Sequence, residues 1–72
     1  MGLRFRYDVA KAKTRAELEP VARILRKHRV KPYYDYNRKS RQWELSISPA
    51  RTFGQDLARR AALEEVRTLA RR

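Results

Sequence analysis

The sequence predicts a small α+β domain in the order β-α-β-β-α: a three-stranded antiparallel sheet of order 2-3-1, with two helices on one face. Three observations carry that expectation. Residues 3–9 and 41–48 alternate apolar and polar side chains with the period of half-buried strands. "TRAE" at 14–17 and "TFGQ" at 52–55 each set a capping Thr ahead of a Glu or Gln at the third position on, just before apolar residues that recur every three or four positions. Pro32 falls within the expected second strand, and a residue with no N–H cannot serve ladders on both sides, so that strand belongs at an edge.

Taken in order, the first strand covers Leu3–Val9, with Leu3, Phe5, Tyr7 and Val9 inward and Arg4, Arg6 and Asp8 outward. The first helix turns Leu18, Val21, Ala22, Leu25 and His28 to the core, with Ile24 at the margin. In a helix begun at Arg15, Pro20 removes the N–H that would bond the Ala16 carbonyl, which implies either a kink or a start nearer Glu17. The cations of "RILRKHRV" suit the negative C-terminal pole of that helix.

Residues 30–36 then pair with 41–48 across a tip at 37–40. A two-residue loop at Arg38-Lys39 and a four-residue loop give the same register, with Tyr34 opposite Trp43, Pro32 opposite Leu45 and Val30 opposite Ile47. The other face pairs Lys31, Tyr33 and Asp35 with Ser46, Glu44 and Gln42, and Tyr36 has inward parity where the core runs out. The last helix starts at Ser48-Pro49 or at Thr52. The second choice is preferred and gives a helix from about Phe53 to Ala70, with Ala58, Ala62, Val66 and Leu69 central to its inward stripe and Leu57, Ala61, Leu63 and Ala70 widening it. Asp56 and Arg60 form an i,i+4 pair.

A chain of 72 residues makes one domain, residues 1–72, and a domain of that size buries only about 60% of the surface of its unfolded chain. Apolar packing must hold it alone, because there is no cysteine for a disulfide or a thiolate metal site. That absence suits a reducing compartment, so a cytoplasmic location is expected. No apolar run of signal-peptide or membrane-span length appears, and Arg6 breaks the myristoylation pattern. Nineteen Lys and Arg against eight Asp and Glu give a net charge of +11, which points to a polyanionic partner.

An enzyme is not expected. The one histidine, His28, lies at the edge of the first helix stripe, where a core-edge or capping role suits it better than proton transfer. Asp8, Asp35 and Glu44 are scattered singly among cations, with pairing inside the sheet to Lys31 or Arg41 the simpler role for the last two. Neither a phosphate-cradling glycine loop nor a serine-nucleophile elbow is present, and no cofactor or metal is expected.

The cations fall into three groups: Arg4 and Arg6 on the outer face of the first strand, followed by Lys11, Lys13 and Arg15; Arg23, Arg26, Lys27, Arg29 and Lys31 from the first helix into the second strand; and Arg38, Lys39 and Arg41 at the hairpin tip. A basic β-ribbon can enter a groove or follow phosphates, an outward Tyr33 can stack on a splayed base, and Asn37 and Gln42 could add specificity. The candidate contact residues are therefore Arg4, Arg6, Arg23, Arg26, Lys27, Lys31, Tyr33, Asn37, Arg38, Lys39 and Arg41. Tyr34 and Trp43 are assigned to the core. The basic C-terminal segment with Arg67, Arg71 and Arg72 could lie on a membrane, but its apolar face is needed by the core, and no membrane partner is expected.

The element order does not meet the patterns of a double-stranded RNA-binding domain, an RNA-recognition motif or a ribbon-helix-helix repressor. In size and charge alone the chain looks like many phage or plasmid regulators. Two readings follow: a regulatory module that binds DNA or RNA in transcription or DNA metabolism, or a protein-interaction module docking on RNA polymerase or another enzyme that handles nucleic acid.

Overall fold

The computed structural model describes residues 6–71. It contains β1 (Tyr7–Ala12), a 3-10 turn (Ala16–Leu18), α1 (Glu19–Lys27), β2 (Tyr33–Asn37), β3 (Gln42–Ile47) and α2 (Phe53–Ala70). The strands form one antiparallel sheet in the order β1-β3-β2. This is the expected order, although Pro32 lies just ahead of β2 rather than within it. Leu18, Ala22 and Leu25 from the first helical segment, Val30 from the turn that follows it, Leu45 and Ile47 from β3, and Ala62 from α2 form one buried cluster. A leucine-sized side chain moved fully out of water contributes about 1.5–3 kcal/mol.

Pro20 decides how the first helix begins. It sits in the first turn of α1, where a missing N–H costs least. The Ala16 carbonyl that Pro20 cannot serve accepts instead from the Glu19 N–H, and the Arg15 carbonyl accepts from the Leu18 N–H at 3.0 Å. The proline thus tightens the opening into a 3-10 turn. The Thr14 hydroxyl accepts from the Glu17 N–H at 3.3 Å, as half of the expected capping box.

At its other end α1 closes in a Schellman motif. The Val30 N–H donates to Leu25 O at 2.8 Å and the Arg29 N–H to Arg26 O at 2.9 Å, with Arg29 in the left-handed region at φ 60. That turn drives Val30 into the core, where it is 1% exposed. The sequence places Val30 opposite Ile47 in a strand, but the helix stop, not strand pairing, buries it.

The first strand differs from the expected Leu3–Val9. Positions 3–5 lie outside the described residues, and β1 continues to Ala12. The register shifts between Asp8 and Ala10, so Tyr7 pairs with Ile47, Ala10 with Leu45 and Ala12 with Trp43. Val9 is absorbed in the irregularity and the small alanines take over the inward positions, a change of parity at the adjacent apolar residues Val9 and Ala10. Tyr7 is the ladder partner of Ile47 but remains 63% exposed.

The hairpin register is also corrected. Tyr34 pairs with Leu45, Tyr36 with Trp43 and Asn37 with Gln42. Relative to the expected pairing β3 is shifted by two residues, which leaves each side chain on its expected face. The loop is residues 38–41. Asn37 Oδ1 accepts from Lys39 N at 2.9 Å and Ser40 N at 3.3 Å, and Arg41 turns back at φ 57. A two-residue loop would demand positive φ from both Arg38 and Lys39; an Asn-nucleated turn asks it of Arg41 alone.

Thr52 caps α2 by accepting from the Gln55 N–H at 3.1 Å, as preferred from the sequence. Gln55 Oε1 reaches back to the Arg51 N–H at 2.8 Å. Ser48 has another role: its carbonyl and hydroxyl both accept from Arg59, at 2.8 and 3.2 Å, fixing the β3–α2 connection. Along α2, Ala62 is buried and Ala58 and Leu63 pack beside it. Leu57 and Ala61, expected to widen the inward stripe, are exposed.

Candidate nucleic-acid interface

The cations separate into those already held by carboxylates and those that are not. On α1, Glu19 Oε1 accepts from Arg26 at 3.1 Å and lies 3.8 Å from Arg23. Glu65 on α2 takes Lys27 at 2.7 Å and His28 Nε2 at 3.0 Å. Thus Arg23, Arg26 and Lys27 are engaged in surface pairs, and His28 joins the two helices. The Arg26 hydrogen bond holds the Glu19 carboxyl below its ordinary value, against partial burial and with help from Tyr34. The bonds from Lys27 and His28 do the same for Glu65.

On the outer face, the Arg6 guanidinium lies 4.0 Å from the Tyr33 ring centroid and 3.3 Å from Asp35, while Lys31 Nζ lies 5.3 Å from the same ring. The Tyr33 ring points outward as expected but is flanked by two cations. Asp35 therefore pairs with Arg6, and Glu44 with Lys11 at 3.7 Å, rather than with Lys31 or Arg41. The cause is register: Lys11 and Glu44 are direct partners across β1 and β3. Asn37 is occupied by the turn and by donating to Glu44 at 3.1 Å. Arg4 lies outside the described residues.

Arg38, Lys39 and Arg41 differ from these. Among the described residues no carboxylate pairs with any of them, and all three are exposed. The three cations sit within four consecutive positions of one loop.

Directly behind the loop lies the last pair of inward rings. Tyr36 and Trp43 meet edge to face, with centroids 5.4 Å apart at 60°, and Tyr36 keeps 48% of its surface exposed. Arg15, just before the 3-10 turn, lays its guanidinium 4.5 Å from the Tyr34 centroid and 5.9 Å from that of Trp43. Tyr34 itself donates to Glu19 Oε2 at 3.2 Å, and burial, with the Glu19 charge, pushes its phenol above the ordinary value. The inward parity of Tyr34 and Trp43 holds, but Trp43 is only half-buried, at the limit of the core. The sequence groups Arg15 with other cations; its place on the rings depends on where Pro20 starts the helix. Tyr36 was legible only as inward where the core ends.

Together these features define a small α+β domain whose hairpin projects free cations beyond a half-open aromatic pair. No family model matches the chain, nor does any curated protein or solved structure. No helix among the described residues is long and apolar enough to cross a membrane, and no group of three or more metal-ligating side chains gathers among them.

Proposed function

We propose that this chain is a non-enzymatic regulatory module of the cytoplasm, acting in transcription or DNA metabolism by binding nucleic acid through its hairpin tip. The observation that carries the reading is the loop at 38–41, where Arg38, Lys39 and Arg41 are exposed with no carboxylate partner among the described residues. Glu19, Asp35, Glu44, Asp56, Glu64 and Glu65 pair with cations elsewhere in the domain; three cations gathered in one loop without a carboxylate cost self-repulsion, which a polyanion relieves. Arg15 and the Tyr36–Trp43 pair extend the surface inward. The exposed ion pairs of Arg23, Arg26 and Lys27 are weak and can exchange a carboxylate for a phosphate as the footprint widens. Titration of labelled DNA and RNA at two salt concentrations tests this: binding that weakens steeply with salt supports it, and no binding at low salt removes it.

A second reading rests on a different place. β1 is an edge strand, and beside it Tyr7, Val9, Ile47, Pro49 and Leu63 line a groove that reaches Arg59 and Arg60 of α2. An open strand edge beside apolar side chains suits strand addition by a protein partner such as RNA polymerase. A stoichiometric protein recovered by pull-down from nuclease-treated lysate would favour docking; loss of every partner on nuclease treatment would favour the first reading.

A further inference from the structure

We infer that the surface takes single-stranded rather than duplex nucleic acid, with an unpaired base stacked on the Tyr36–Trp43 pair while the tip cations hold the flanking phosphates. This deepens the proposed function and rests on it. Three features point this way. The first is exposure: Tyr36 retains 48% of its surface although its neighbour in the ladder is a tryptophan, and an edge-to-face pair leaves ring surface free for a third aromatic. A duplex keeps its bases in its own stack and offers only phosphates and groove edges, so such a ring surface has no partner there. A single strand presents base faces, and every base has one.

The second feature is position. The rings do not crown the hairpin; they lie behind its loop, in the corner where Arg15 enters the helical segment. Arg38 follows Tyr36 by two positions and Arg41 precedes Trp43 by two, so cations bracket the rings along both strands. A half-exposed ring flanked along the chain by cations suits a base swung out on its backbone better than an intact stacked helix. The third is charge. Glu19, whose carboxylate accepts from Tyr34 beside this corner, is already occupied by Arg23, Arg26 and that hydroxyl, so its charge is offset before a phosphate arrives. The outward ring of the hairpin, Tyr33, is flanked by Arg6 and Lys31, which leaves Tyr36 as the most exposed ring of the hairpin.

Fluorescence titrations of the whole chain with oligo(dT), with oligo(U) and with an oligo(dA)·oligo(dT) duplex of equal length test this, with Trp43 as the intrinsic reporter. At one salt concentration either single strand is expected to bind at least about tenfold tighter than the duplex and to quench Trp43; the two single strands tell whether DNA or RNA is preferred. Tyr36→Ala is expected to weaken single-strand binding about 5- to 150-fold, the equivalent of one stacked base, with an unchanged salt slope and an unchanged far-UV spectrum. Tyr36→Phe is expected to restore it, because the ring and not the hydroxyl is used. Duplex binding equal to or tighter than single-strand binding, or a Tyr36→Ala variant that binds as well as the parent, overturns the inference while leaving nucleic-acid binding standing. Absence of binding to all three probes at low salt overturns both.

Discussion

The Tyr34 hydroxyl donates to Glu19 Oε2 at 3.2 Å, tying the middle of β2 to the first turn of α1. The same carboxylate receives Arg26 through its other oxygen, so one side chain joins the hairpin to the helix and orders two helix cations. Tyr34→Phe removes the hydroxyl and leaves the ring under Arg15. The expected loss is about 0.5–1.5 kcal/mol, the net worth of one such hydrogen bond, read as a lower urea midpoint with unchanged slope.

Glu19 and Glu65 make the fold sensitive to acid. Each carboxyl is held below its ordinary value of 4.5, by Arg26 and Tyr34 in one case and by Lys27 and His28 in the other. The unfolded chain therefore binds more protons than the folded one in that range, and stability rises with pH there. Their contribution is complete above the ordinary value and is lost as pH falls through the depressed folded values. Thermal melts between about pH 6 and pH 3 are expected to show falling stability, with a shallower acid limb in Glu19→Gln/Glu65→Gln.

Arg29 closes α1 at φ 60, where a side chain is disfavoured and glycine is not. Arg29→Gly keeps the Leu25–Val30 and Arg26–Arg29 bonds and is expected to stabilise by about 1 kcal/mol, or about 4–8 °C in Tm for a domain of this size. Arg29→Ala retains the strain and is expected to give no such gain.

Thr52 holds the start of α2 through its bond to the Gln55 N–H. Thr52→Ala is expected to cost about 1 kcal/mol and Thr52→Asn or Thr52→Ser much less, because either can cap in its place. Chemical denaturation of the three variants checks the order.

The face assignments were legible because they depend on a period of two, and the shift of β3 by two residues preserved them: Tyr34, Trp43 and Leu45 stayed inside and Tyr33 and Glu44 outside. The register itself was hidden. The tip carries no Asn-Gly or Asp-Gly signal, and only the Asn37 side chain, bonding Lys39 and Ser40, fixes a four-residue loop. The irregularity in β1 was hidden too, since Val9 and Ala10 stand side by side and the Ala-Lys alternation of 10–13 runs out of parity with residues 3–9, so the strand reads as ending at Val9. The α2 start was readable from Thr52 and Gln55, whereas the anchoring of Ser48 by Arg59 joins residues too far apart in sequence for any local pattern. Of the candidate site, charge alone marked Arg38, Lys39 and Arg41. Which other cations were already paired depended on where Glu19, Asp35, Glu44 and Glu65 came to lie, and Arg15 reaches the rings from the cap of the 3-10 turn, a long-range contact that no local pattern marks.

The most direct test of the account is the slope of log affinity against log salt for oligo(dT) binding by the parent chain and by Arg38→Glu/Lys39→Glu. Each neutralised phosphate contributes about 0.7 to that slope on a single strand. The double variant, which leaves the core untouched, is expected to bind more weakly and to flatten the slope by about 1.4. A variant that keeps both the affinity and the slope of the parent would contradict a binding site at the hairpin tip.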